Sequence, residues 1–99
     1  MHFLVTWDIK SVLEYNKLNT QLKSCLKGYS WVRPMKNIYI VRVDSIEDRT
    51  TIRQSLNSIA KNNPKQINIL ISPLMDGGSY SGWLPLKLWE KIKKRTNQE

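Results

Sequence analysis

Ninety-nine residues with a mass of 11.6 kDa allow one small domain and leave no room for a second core. At 40% hydrophobic and 24% charged the chain is too apolar for a disordered tail, and apolar runs such as Ile69-Leu70-Ile71 fall far short of the roughly 18 residues a membrane helix requires. Sixteen Lys and Arg against eight Asp and Glu leave a net charge of +8, a balance suited to a polyanionic partner.

Phe3 to Ile9 is rich in β-branched and aromatic residues and predicts a first strand. Its alternation puts Phe3, Val5, Trp7 and Ile9 on one face and Leu4, Thr6 and Asp8 on the other. From about Val12 the period becomes helical. Tyr15, Leu18, Leu22 and Leu26, with Cys25 beside them, form the apolar stripe, Lys23 and Lys27 point roughly opposite Leu18, and Gly28 supplies the stop. Ser30 to Arg33 and Asn37 to Val43 predict an antiparallel hairpin with Pro34 and Lys36-Asn37 at its turn. Asp44 or Ser45 caps a second helix, Ile46 precedes its stripe of Ile52, Leu56 and Ile59, and Asn62-Asn63-Pro64 ends it. Ile67, Ile69 and Ile71 alternate with Asn68 and Leu70 in a fourth strand, and Asp76-Gly77-Gly78-Ser79 reads as an exposed turn. Pro85 opens a last helix, over about 84–95, that carries Leu84, Leu88, Trp89 and Ile92.

This order predicts an α+β fold of the ferredoxin-like, split β-α-β kind: β-α-β-β-α-β with a four-stranded antiparallel sheet and a C-terminal helix, in one domain over 1–99. Two helices would cover one sheet face. The other face, with Leu4 and Leu70 on it, would be solvated, used for binding, or paired with a second protomer, and a homodimer is the expectation. The C-terminal helix could instead cover part of it.

Asp8, at the C-terminal end of the first strand and directed away from the helices, is the sharpest candidate for chemistry, both as a catalytic residue and as a metal ligand. Magnesium keeps several waters and needs only one or two carboxylates, and a dimer could bring two copies of Asp8 together. The competing reading makes Asp8 a cap of the following turn or a partner of Lys10. His2 is expected to be a surface or strand-edge histidine, and Cys25 an inert thiol on the first helix. A single cysteine can form neither an internal disulfide nor a zinc cage, so a reducing cytoplasm is the expected compartment, and Met1 to Lys10 contains no secretory signal. Gly77-Gly78 lacks the lysine and spacing of a phosphate-binding loop, and no H-E-x-x-H, nucleophile elbow or paired Cys-x-x-Cys motif is present.

Cations are numerous. Arg33 and Lys36 flank the hairpin turn, Arg42 interrupts the apolar third strand, and Lys87, Lys91, Lys93, Lys94 and Arg95 make the last helix basic against Glu90 alone. Arg33, Lys36, Arg42, Lys87, Lys91, Lys94 and Arg95 are the candidate nucleic-acid contacts. Trp31, Trp83 and Trp89 can stack bases of a single strand, although Trp89 fits the apolar side of its helix.

Trp7-Asp8-Ile9 resembles the Tyr-Asp-Ile or Tyr-Asp-Leu ending of strand one in the small CRISPR-associated adaptation subunit and its VapD-type and SinR-like relatives. Gly28-Tyr29-Ser30-Trp31 through Asn37-Ile38-Tyr39-Ile40-Val41, Ser45 to Ile52, and Gly82-Trp83-Leu84-Pro85 leading into Trp89 are similar to the SinR-like branch. The resemblance implies a ferredoxin-like homodimer and, through Asp8 alone, metal-dependent nuclease activity. Trp7 stands where the family has tyrosine, and a basic helix stands where the adaptation subunit has an extra strand. Two functions follow as expectations: a dimeric binding module for DNA, RNA or a protein partner without strong catalysis, or a magnesium-dependent endonuclease using Asp8 from two protomers. The absence of a second obvious acid or base favours the module, and no membrane association is expected.

Overall fold

β1 (His2–Ile9) lies in the interior of a four-stranded antiparallel sheet, between β3 (Ile38–Arg42) and β4 (Ile67–Leu74), with β2 (Ser30–Met35) outside β3. This computed structural model describes residues 1–77 and 80–96. The strand order β2-β3-β1-β4 means that β1 and β2 run parallel with β3 between them. They are joined by α1 (Tyr15–Ser24), and β3 and β4 are joined across β1 by α2 (Ile46–Asn62). A third helix, α3 (Leu86–Thr96), follows the last strand. The α+β class and the C-terminal helix therefore stand, and no helix among the described residues is long and apolar enough to cross a membrane.

The alternation of β1 divides the molecule. Phe3, Val5, Trp7 and Ile9 are buried with Tyr39, Val41 and Val43 from the adjacent β3 and its end against Leu18, Leu22 and Leu26 from α1 and its end, and against Ile52 and Leu56 from α2. On the opposite face Val32 and Ile40 meet Ile92 of α3 in a smaller core, joined by Met75, Leu84 and Trp89. So α3 covers the β2–β3 half of that face. The register leaves a row across all four strands, Met35–Ile38–Thr6–Leu70, with Leu70 70% exposed. Leu4, one step further along β1, is half-buried.

Local chemistry sets the ends of the elements. Ser45 is the α2 cap, its Oγ accepting from the Asp48 N–H at 3.1 Å. Gly28 takes φ +89° as the chain leaves α1, a conformation open to glycine at no steric cost. α1 begins at Tyr15 rather than near Val12, because Ser11 Oγ takes the Glu14 N–H at 3.1 Å in a turn of its own. Val12 and Leu13 fall on that turn and are exposed. Pro34, expected in the hairpin turn, lies inside β2, where its missing N–H costs nothing on a sheet edge and where the pairing with β3 shifts register. Gly78 and Ser79 of the expected exposed turn lie outside the described residues.

The other edge strand also carries a proline. Around Ser72-Pro73 the β1–β4 register shifts, and Ser72 Oγ accepts from the Leu4 N–H at 2.8 Å while donating to the Pro73 carbonyl at 2.7 Å. Arg49 of α2 donates from Nε and Nη2 to the Ser72 carbonyl at 3.2 and 2.8 Å, which ties the helix layer to the bulge. Ser72→Ala leaves the Leu4 N–H without its acceptor and is expected to cost about 1–3 kcal/mol in urea unfolding. Ser58→Ala, on the exposed side of α2, should stay within about 0.5 kcal/mol.

Candidate functional site

A groove of about 380 Å³ runs between the outer edge of β2 and α3, lined by Trp31, Val32, Arg33, Leu88, Lys91, Lys94 and Arg95. Among the described residues no carboxylate lines it. Helical spacing places Lys91, Lys94 and Arg95 on adjacent turns, and the Ser30 hydroxyl donates to the Arg95 carbonyl at 3.5 Å, docking the end of α3 on the start of β2. Basic groups in the last turn of α3 also suit the negative end of the helix dipole. The dipole accounts for charge at that end but does not require it to border a tryptophan.

Trp31 is partly buried and ends a diagonal of rings across three strands. Trp7 stacks on Tyr39 at 4.6 Å between centroids, and Tyr39 meets Trp31 edge-on at 5.3 Å. The Trp7 indole N–H donates to Asn19 Oδ1 at 3.1 Å, so the inner end is held by α1. Lys23 Nζ lies 5.6 Å from the Trp31 centroid and the Arg33 guanidinium 5.7 Å from that of Tyr39. Arg33 also donates from Nε and Nη2 to the Lys36 carbonyl at 2.8 and 2.6 Å, which fixes its direction.

Of the cations singled out in the sequence, Arg33, Lys91, Lys94 and Arg95 share the groove, and Lys36 adjoins it through the hairpin turn. Lys87 lies in the first turn of α3 and is not among the lining residues. Arg42 is elsewhere, 3.6 Å from Asp44 in a separate hollow with His2, Asp76 and Thr96. Lys23 was missed, because helical periodicity places it opposite Leu18 and says nothing of a strand beyond. Of the three tryptophans, Trp83 is 96% exposed, Trp31 borders the cations and Trp89 packs against the smaller core.

Asp8 is exposed at the end of β1 opposite Asn68, in a shallow hollow with Thr6, Asn37 and Leu70. It does not cap α1, whose first turn has no side-chain cap, and it has no ion pair among the described residues. Amide and hydroxyl oxygens around it suit a hard cation, but no group of three His, Cys, Asp or Glu converges among the described residues.

His2 is buried, not at the surface. Its Nε2 is hydrogen-bonded to the Tyr80 hydroxyl at 3.1 Å, its Nδ1 lies 3.5 Å from Asp76 Oδ1, and its backbone N–H donates to the same oxygen at 2.9 Å. Burial holds its pKa below the ordinary imidazole value, with Asp76 opposing that shift. The backbone hydrogen bond from His2 lowers the Asp76 pKa, with the neighbouring positive groups adding to it. These residues are 74 and 78 positions apart, and no local pattern announces the contact. Cys25 is half-buried with its thiol pushed up by burial, in keeping with an inert thiol.

Set against protein-family models and curated proteins, the chain matches none, so the functional argument rests on its own residues.

His2 is the only histidine, which makes its linkage readable. A base whose folded pKa is lowered is protonated first in the unfolded chain, so its contribution is complete above the unfolded value of ~6.5 and is lost as pH falls toward the folded value. Asp76, also lowered, adds a second loss at more acid pH, below the usual carboxylate value. Urea midpoints measured from pH 8 to 2.5 should therefore decline below ~6.5 and again at the acid end. His2→Gln should remove that first decline while leaving the more acid one.

Proposed function

We propose that this chain is a basic, ferredoxin-like module that binds nucleic acid through the groove between β2 and α3, acts as a homodimer, and has no strong catalysis of its own. The carrying observation is the gathering of Arg33, Lys91, Lys94 and Arg95 with Trp31 in one groove that, among the described residues, no carboxylate lines. The fold reading is supported by the order β2-β3-β1-β4 and by the two helical crossovers that each skip one strand. Kinship with the small CRISPR-associated adaptation subunit and its SinR-like relatives, carried by Trp7-Asp8-Ile9 and Gly82-Trp83-Leu84-Pro85, belongs to the same proposal, as does a reducing cytoplasmic setting.

Phosphate contacts release counterions, and each cation removed lowers the dependence of affinity on salt. Lys91→Ala, Lys94→Ala and Arg95→Ala combined should weaken binding to any sequence and reduce the slope of log affinity against log salt by about 2 to 3. Anisotropy titrations over a salt series read both quantities. If the unaltered chain binds no nucleic acid even at low salt, a protein partner becomes the better account of the groove.

The dimer is supported by the row Met35–Ile38–Thr6–Leu70, an apolar strip on the sheet beside the exposed Trp83. A second copy can cover it by two-fold symmetry, each strip meeting its counterpart. The runner-up function, a magnesium-dependent endonuclease, calls on that dimer for a second carboxylate, because among the described residues Asp8 is the only one that lines its hollow. Light scattering should give a dimer mass that Leu70→Glu shifts to monomer. In the same preparations, magnesium should elicit no cleavage of DNA or RNA above that of Asp8→Ala. Robust turnover lost in Asp8→Ala would transfer the chain to the nuclease reading.

A further inference from the structure

We infer that the β2–α3 groove takes single-stranded nucleic acid, with one unpaired base laid on Trp31 and its flanking phosphates on Arg33, Lys91, Lys94 and Arg95. This rests on the nucleic-acid reading above and specifies the form of nucleic acid.

In a duplex the base faces are stacked inside the helix, and a protein reaches base edges, sugars and phosphates only. Reading those edges takes an element that projects into a groove of the duplex. Here the relation is reversed: the protein offers a concave groove between a strand edge and a helix, with Trp31 among its lining residues and the Trp31 ring at the same strand edge. A ring in that position gains by stacking only on a base that is unpaired.

Trp31 is also set in place before any ligand arrives. Tyr39 beside it is buried at 2% exposure, and Tyr39 is itself stacked on the buried Trp7. The ring therefore loses little freedom on binding, which lowers the ordering cost that otherwise offsets stacking. Cations flank it on both sides of the sheet, Lys23 from α1 on one and Lys91, Lys94 and Arg95 from α3 on the other. A backbone passing across the β2 edge thus meets positive charge before and after the ring.

The same edge is poorly suited to the main competing occupant, a peptide strand added to the sheet. Pro34 supplies no N–H within β2, and the register shift between Val32 and Met35 interrupts the regular ladder that strand addition extends. An added strand would also lie against Lys91, Lys94 and Arg95 without drawing on their charge.

The test compares short labelled oligothymidylate and oligouridylate with a hairpin duplex of equal length, at one salt concentration. At least one single strand should bind about tenfold more tightly than the duplex, and the tighter of the two identifies DNA or RNA as the source. Base–aromatic stacking of about 1–3 kcal/mol corresponds to about 5- to 150-fold. Trp31→Leu, which keeps an apolar side chain without the ring, should lose that factor for the single strand and leave duplex affinity and the salt slope unchanged. Trp31→Phe should retain most of the single-strand affinity. Equal affinity for both forms, or a Trp31→Leu variant that binds single strands normally, overturns this inference while the nucleic-acid reading stands. Failure of every form to bind at low salt overturns that reading itself.

Discussion

The two-residue period of β1 commits Phe3, Val5, Trp7 and Ile9 to the layer beneath α1 and α2, and sends Leu4, Thr6 and Asp8 to the other side of the sheet. β1 pairs on both edges, so this division passes to β3 and β4 through the register, and from β3 to β2. Slippage by one residue would place Asp8 in the main core and Trp7 in solvent. Burial of four large side chains, each contributing about 1.5–3 kcal/mol, makes that alternative inaccessible.

The aromatic diagonal follows from the same period. Trp7 and Tyr39 lie on the main-core face of adjacent strands, one step out of direct opposition, and Trp31 continues the diagonal on β2. Two of the three rings are needed for the core. The third reaches the sheet edge, where packing no longer covers it fully, and there it serves as a surface. α3 approaches the same edge from the opposite face because Ile92 must be buried on Val32 and Ile40, and its charged side is carried along. The groove is thus formed by two separate requirements for apolar burial that meet at one strand.

Edge management shapes the rest of the sheet. Pro34 and Pro73 fall one in each edge strand, each beside a register shift, and neither removes a bond that the sheet needs. At the β4 side the bulge is repaired by Ser72, whose hydroxyl stands in for a backbone acceptor, and is anchored by Arg49. At the β2 side no such repair lies on the outer edge, and the cations gather there instead. The β4 bulge is tied to β1 and α2 by hydrogen bonds; β2 carries a proline and borders the cations of α3.

Periodicity, caps and breakers are properties of neighbouring residues, and they determined most of the elements from the sequence alone. The faces of β1, the stripe of Leu18 and Leu22, a cap of α2 at Asp44 or Ser45 and the end of α2 before Pro64 were all legible, whereas α1 ends at Ser24, ahead of the glycine expected to stop it. So was the α+β class, since it depends on the order of those elements, and so was the surplus of cations on α3. Errors arose where a local signal had two outcomes and distant contacts chose between them. Pro34 suits a turn or a sheet edge, and only the place of β2 outside β3 selects the edge. His2 reads as a terminal residue, yet the Asp76–Tyr80 segment, more than seventy positions away, closes over it. The seven candidate cations could not be sorted in one dimension: four share a groove with Trp31, Lys36 adjoins it, Lys87 stays outside it in the first turn of α3, and Arg42 is drawn off by Asp44. Lys23 joins them from another helix. Charge acts through space, so its sum is written in the composition, but its concentration at one strand edge was decided only when α1 and α3 packed on opposite faces of the same sheet.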